Sequence, residues 1–105
     1  MVDDVKAAMR KAAYAARRPA FEVGPGRAAD FLADYLAAFK GSALAGYMPM
    51  RTEIDPLPAM AAHQGPVGVP VIIAKATPLQ FCAWTPDAVM VAGEFGARVP
   101  EAGDW

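Results

Sequence analysis

Two cationic side chains, Lys6 and Arg10, lie four residues apart in an alanine-rich segment at the start of the chain. In a helix this spacing places both on one face, with β-carbons about 6 Å apart. A paired ammonium and guanidinium can hold the oxygens of a polyphosphate. The spacing is therefore compatible with a phosphate clamp. The alternative is an ordinary solvated face, since residues 1–18 carry five basic side chains against two acidic ones.

A second candidate site is the turn at residues 46–58, Gly-Tyr-Met-Pro-Met-Arg-Thr-Glu-Ile-Asp-Pro-Leu-Pro, where a proline ends a strand and two carboxylates follow. Open α/β sheets bind their ligands at the C-terminal ends of strands. Glu53 can accept hydrogen bonds from a ring N–H or an amide group, with Tyr47 or Met48 as an apolar wall beside it. We expect Asp55 to cap the helix that follows it. The alternative for Glu53 is a solvated side chain.

The single histidine and the single cysteine suggest structural roles. His63 falls at the end of a predicted helix, where an imidazole usually caps, and Cys82 lies in an apolar strand, where cysteine is usually a small core residue. Gly24-Pro25-Gly26 precedes a helix but lacks the rest of a Walker-type or dinucleotide-binding pattern. We therefore assign no catalytic nucleophile and no metal ligand from these motifs.

Three helices are predicted to support these residues. The first runs from Asp3 to Arg18 with Pro19 as its stop, the second from Arg27 to Lys40 with Gly41 as its cap, and the third from Leu57 to His63. The first two helices each have a stripe that we expect to be buried. These stripes are Val5, Ala8, Met9, Ala12 and Ala16 in the first helix, and Phe31, Leu32, Tyr35, Leu36 and Phe39 in the second.

Short apolar runs predict the strands, and the glycine-rich segment 93–105 has the composition of a loop. Because these strands are apolar without alternation, they are typical of an α/β layer fold with at least one right-handed βαβ crossover. The runs are Ala43 to Met48, Val69 to Lys75, Leu79 to Trp84 and Val89 to Ala92.

Length and composition predict one domain over residues 1–105. We expect it to be cytoplasmic, because charged residues interrupt the first turns and a secretory leader is therefore not expected. The chain is 55% hydrophobic with a net charge of −1, which is unlike a disordered chain or a polyanion-binding protein, and no apolar run is long enough for a membrane helix. We expect no nucleic-acid partner and no membrane. A small basic nucleic-acid module built on the first helix is a weaker alternative.

The order of these pieces resembles the 5-formyltetrahydrofolate cyclo-ligase family, also called methenyltetrahydrofolate synthetase. The resemblance spans most of the chain and is most specific in the turn at 46–58. It continues in Val69-Pro-Val-Ile-Ile-Ala-Lys75 and Leu79-Gln-Phe-Cys-Ala-Trp84, and Gly93 to Pro100 is similar to a further family segment.

The resemblance implies an α/β enzyme with a three-layer, open, mostly parallel sheet and flanking helices. It implies the use of ATP and Mg²⁺ to convert 5-formyltetrahydrofolate to 5,10-methenyltetrahydrofolate. Lys6 and Arg10 match nucleotide contacts of the family, and Arg10 also approaches the folate. Met48 matches a wall of the substrate site and Glu53 the carboxylate that binds the reduced pterin.

Family members continue past the equivalent of Trp105 with a glycine-rich, basic loop that wraps the ATP phosphates. The resemblance therefore implies a truncated, N-terminal part of the enzyme that is incomplete for catalysis. The alternative is a non-catalytic folate or nucleotide binder, or one half of a split enzyme. Because the sheet edge is left uncovered, we expect self-association or a complementing chain.

Overall fold

Three helices and five short strands make up the computed structural model, which describes residues 2–93 and 96–102. The mixed α/β class is confirmed, and the described strands form two small open sheets rather than a closed barrel. The helices are α1 (Val2–Val23), α2 (Ala28–Leu36), which continues into a 3₁₀ turn (Ala37–Phe39), and α3 (Leu57–Ala62). The strands are β1 (Leu44–Ala45), β2 (Val67–Val71), β3 (Gln80–Ala83), β4 (Met90–Ala92) and β5 (Arg98–Pro100).

The larger sheet has the order β1-β2-β3. Strands β1 and β2 pair in parallel, with Leu44 opposite Val67, and α3 lies between them in the chain, so they form the predicted βαβ unit. Strands β2 and β3 pair antiparallel, with Val69 opposite Cys82. One parallel pairing does not make a mostly parallel sheet, and the three-layer arrangement is not confirmed.

The C-terminal segment differs from the loop that its composition predicted. Strands β4 and β5 form an antiparallel pair with Val91 opposite Val99. The Gly93 N–H donates to the Ala97 carbonyl at 2.8 Å, which closes the connection between the strands. Gly93 and Gly96 therefore belong to the connection of a hairpin. Residues 94, 95 and 103–105 of the predicted loop, and with them part of the resembling segment Gly93 to Pro100, lie outside the described residues.

The core lies between α3 and the larger sheet. Val69 in the central strand is fully buried, and Met60 and Trp84 pack around it. Cys82 is buried, as predicted for a small core residue. His63 follows α3, and its Nε2 lies 2.7 Å from the Ser42 carbonyl oxygen, so the ring ties the end of this helix to the segment before β1.

Helix α1 is longer than predicted and packs differently. Pro19 lies inside it, and the helix ends at Val23. The next residue, Gly24, has a φ of +101°, and its N–H donates to the carbonyls of Ala20 and Phe21. An interior proline removes one backbone donor and usually ends or kinks a helix, but α1 continues through Pro19 to Val23. The predicted stripe from Val5 to Ala16 was wrong as a buried face, because α1 buries none of its residues.

The second predicted stripe is also mostly exposed. Phe31 and Tyr35 keep 65% and 66% of their surface in solvent, and Leu36 is half-buried. Helix α2 packs on α3, which has six residues and is about 9 Å long, too short to cover the whole stripe. The 3.6-residue period identifies which side chains share a face, and tertiary structure decides whether anything covers that face.

Candidate functional site

A cleft of about 690 Å³ opens between the C-terminal half of α1 and the chain that links β1 to α3. Its walls combine apolar side chains with four ionisable ones. Lining it are Arg17, Ala20, Phe21, Gly24, Pro25, Tyr47, Thr52, Glu53, Ile54 and Asp55. Large, mostly apolar clefts with a few polar groups are the usual form of a small-molecule site.

The Glu53 carboxylate is fixed by the turn in which it lies. The Glu53 N–H donates to the Met50 carbonyl at 3.0 Å, and Glu53 Oε1 accepts from the Met50 N–H at 2.9 Å. A carboxylate offers about four acceptor positions, so this bond leaves capacity for a ligand. Glu53 is half-buried, so the purely solvated alternative does not describe it.

Tyr47 lies beside the two carboxylates of the cleft. Its hydroxyl donates to the Ile54 carbonyl at 2.7 Å. Partial burial raises the pKa of the Tyr47 phenol, and the negative charges of Glu53 and Asp55 raise it further. The phenol is therefore neutral at physiological pH and acts as a donor that holds the loop closed.

Asp55 has the capping role that the sequence predicted. Its Oδ1 accepts from the N–H of Leu57, the first residue of α3, at 2.9 Å. A helix start leaves backbone N–H groups without partners inside the helix, and a side-chain oxygen placed just before it satisfies one of them. Asp55 thus orients the cleft wall relative to α3.

Arg17 is a cleft residue that the sequence analysis did not single out. Its Nε donates to Thr52 Oγ1 at 2.7 Å, and its guanidinium carbon lies 4.9 Å from the centre of the Tyr14 ring. Thr52 is 9% exposed, so this bond joins α1 to a buried position of the loop. The available signal was spacing: Arg17 is seven residues after Arg10, about two helical turns, and so shares its face.

Of the four predicted binding residues, Glu53 lines the cleft and the other three lie elsewhere. Lys6 and Arg10 are exposed on α1, about 16 Å and 10 Å from Arg17 along the helix axis. Met48 is half-buried and packs against the core around Met60 and Trp84. The structure therefore does not bring the phosphate clamp and the Glu53 turn together in one cavity.

Within residues 2–93 and 96–102, no group of three or more histidine, cysteine, aspartate or glutamate side chains is arranged to hold a metal ion. The described part of the chain also contains no helix with the length and apolar character needed to cross a bilayer.

Comparisons of the chain with known protein families, with curated proteins and with solved structures found no match. The resemblance to the cyclo-ligases thus depends on the residues quoted above.

Proposed function

We propose that this chain binds a reduced folate in the cleft and belongs to the ATP-dependent conversion of 5-formyltetrahydrofolate to 5,10-methenyltetrahydrofolate. The observation that carries the proposal is the position of Glu53, a carboxylate fixed in the wall of a large, mostly apolar cleft. The resemblance of residues 46–58 to the cyclo-ligase turn supports the same assignment. The finer fold, a three-layer and mostly parallel sheet, belongs to this proposal and is supported by the parallel β1–α3–β2 unit.

Recognition of a pterin needs acceptors for its ring N–H and amino groups and apolar surface for its faces. Glu53 supplies the charged acceptor, and hydrogen bonds to a carboxylate are roughly twice as strong as neutral ones. Phe21 and Ile54 supply apolar surface in the same cleft. Because the Met50 N–H already holds the carboxylate, little conformational freedom remains to be lost on binding.

ATP enters the proposal as the co-substrate. The formyl oxygen attacks the γ-phosphorus and ADP leaves. N10 then closes on the activated carbon, phosphate is expelled, and the N10 proton is released to solvent. Lys6 and Arg10 are the proposed cationic contacts of the nucleotide, on the same face of α1 as Arg17. Mg²⁺ is proposed as the companion of the ATP phosphates, which usually supply several of its ligands.

The second candidate function is binding of the reduced folate without turnover. The separation between the Lys6 and Arg10 pair and the cleft favours this function. Arg10 lies about 10 Å along α1 from Arg17, which lines the cleft. Phosphoryl transfer requires the reacting groups to be held within about 3.5 Å.

Titration of 5-formyltetrahydrofolate into the wild-type chain and into Glu53→Gln, followed by calorimetry, tests the site. We expect the substitution to weaken binding about tenfold, because an amide replaces the charged acceptor. The glutamine oxygen can still accept from the Met50 N–H, so the turn is retained. Glu101→Gln, which removes one exposed charge outside the cleft, is the matched control. Equal affinity for wild type and Glu53→Gln would contradict the assignment.

Turnover separates the two candidates. In the presence of MgATP, a rise in methenyltetrahydrofolate absorbance supports the enzyme, and folate binding without that rise supports the binding protein. If the chain neither binds the folate nor turns it over, both candidates are wrong.

A further inference from the structure

Three arginines surround a second, smaller pocket on the other side of Arg17. Its volume is about 240 Å³, and it shares Arg17 and Thr52 with the cleft. Basic and hydroxyl side chains dominate its walls, and no acidic side chain lines it. The lining residues are Tyr14, Ala15, Arg17, Arg18, Arg51 and Thr52.

Side-chain contacts hold one of the three arginines in place, and the turn at residues 50–53 constrains the backbone of another. Arg17 is fixed between the Thr52 hydroxyl and the Tyr14 ring. Arg51 has a φ of +53°, a left-handed conformation that is costly for a residue with a β-carbon. The hydrogen bonds between Met50 and Glu53 close the turn around it. Strain of this kind persists where the surrounding structure imposes it, and it is concentrated at functional positions.

No ion pair of the described residues neutralises the positive charges of this pocket. Among residues 2–93 and 96–102, no carboxylate lies within ion-pair distance of Arg17, Arg18 or Arg51. Three guanidinium groups around one small pocket repel one another, and an anion placed between them removes that repulsion. Thr52 Oγ1 accepts from Arg17, which leaves its O–H free to donate to the same anion.

We propose that this arginine pocket binds a phosphoryl group. Guanidinium groups match phosphate oxygens in geometry, and three of them favour an anion with more than one charge over a single carboxylate. The pocket is distinct from the Lys6 and Arg10 pair, neither of which lines it. The proposal does not depend on the folate assignment, since the arginines would hold the anion whatever occupies the cleft.

The probe is inorganic pyrophosphate, added without folate or nucleotide to the 105-residue chain at low salt. Calorimetry measures its affinity, and ¹H–¹⁵N spectra follow the arginine Nε–H groups. We expect saturable binding, with shifts concentrated on Arg17, Arg18 and Arg51. Affinity is expected to fall as salt is added, because exposed charges are screened.

Two variants remove one charge each without removing a buried contact. Arg51→Gly suits the positive φ, and Arg18→Gln keeps a good helix former at an exposed position of α1. Each is expected to weaken pyrophosphate binding about tenfold. Lys40→Gln and Lys75→Gln change the net charge equally but lie outside the pocket, and should stay within about twofold of wild type. Circular dichroism confirms that each variant is folded.

Three results would overturn the proposal. The first is the absence of saturable pyrophosphate binding by the folded wild-type chain. The second is an affinity for pyrophosphate that does not change in Arg18→Gln and Arg51→Gly. An equal loss of affinity in the two lysine variants would have the same meaning. The third is equally tight binding of γ-glutamylglutamate, which would identify a carboxylate site instead. None of these measurements uses a folate, so their failure is distinguishable from failure of the proposed function.

Discussion

Glu53, Tyr47 and Asp55 show that chemically capable side chains can also hold their own loop together. Glu53 bonds back to Met50, Tyr47 bonds forward to Ile54, and Asp55 caps α3. These local bonds fix the directions of two carboxylates and a phenol along one wall of the cleft. A ligand therefore meets groups that are already in place, and a substitution at any of them changes loop geometry as well as recognition.

Replacing Tyr47 with phenylalanine tests the role of its hydroxyl. At neutral pH we expect Tyr47→Phe to lower the free energy of unfolding by about 0.5–1.5 kcal/mol, the usual net contribution of one hydrogen bond. The pKa of Tyr47 is raised in the folded state above its ordinary value of 10.0. Stabilisation from the protonated phenol is therefore fully present below pH 10 and is lost as pH rises through the folded-state pKa.

Urea unfolding of both proteins from pH 7 to pH 11 measures this difference. The difference in free energy of unfolding between wild type and Tyr47→Phe should decrease above pH 10. Ionised Tyr47 can no longer donate a hydrogen bond, and it faces two carboxylates. A difference that stays constant from pH 7 to pH 11 would contradict this account of the Tyr47 hydroxyl.

Helix α1 shows how loosely an amphipathic element can be attached. It has 22 residues, a length of about 33 Å, yet it buries none of them. Near its C-terminal end, Arg17 donates a hydrogen bond to Thr52, which joins the helix to the loop before α3. The cleft and the arginine pocket both lie at that end, so the position of α1 sets the shape of both.

Removal of the Thr52 hydroxyl should therefore loosen α1 selectively. Thr52→Val keeps the shape of a buried side chain but leaves Arg17 without its acceptor. We expect faster amide hydrogen exchange in the C-terminal half of α1, with protection in β2 unchanged, and a loss of about 1–2 kcal/mol of stability.

Thr77→Val is the matched control, because the Thr77 hydroxyl bonds locally to the Lys75 carbonyl in an exposed turn. Its exchange pattern should equal that of wild type. If Thr52→Val left exchange in α1 unchanged, the bond to Arg17 would not be what holds the helix.

The whole molecule is more open than a compact chain of its length. Its radius of gyration is 15.6 Å, against about 13 Å for a compact domain of 100 residues. Large apolar side chains remain exposed on two helices and the larger sheet, including Val5 on α1, Phe31 on α2 and Phe81 on β3. Strand β3 pairs with β2 on one side, and within the described residues no strand pairs with its other edge.

These exposed surfaces predict self-association through the sheet edge. Light scattering should give a mass above the 11.0 kDa of one chain, increasing with protein concentration. Phe81→Lys places a charge on the edge strand and should reduce the mass, because charged edge strands resist pairing. Phe31→Lys is the control: it makes the same chemical change on α2 and should reduce the measured mass less. A mass of one chain at all concentrations would show that the edge is not a pairing surface.

Part of the site could be predicted from local sequence because local sequence creates it. Asp55 caps the helix beside it, Cys82 is buried in its strand, and Glu53 lies in the wall of a cleft. Arg17 was missed because its partner Thr52 is 35 residues away, and no local pattern indicates that contact. The separation of Lys6 and Arg10 from Glu53 likewise depends on the docking of α1.

The amino-acid sequence by itself determined the α/β class, the order of most elements, the βαβ unit and the turn that carries Glu53. These follow from hydrophobic periods, proline and glycine positions and capping, which act over a few residues. Tertiary structure alone decided that β2 and β3 pair antiparallel, that β4 and β5 form a hairpin, and that the stripes of α1 and α2 stay exposed. It also brought Arg17, Arg18 and Arg51 around one pocket. Contacts between distant segments depend on how the elements pack, and the hydrophobic periodicity of one segment carries no information about that packing.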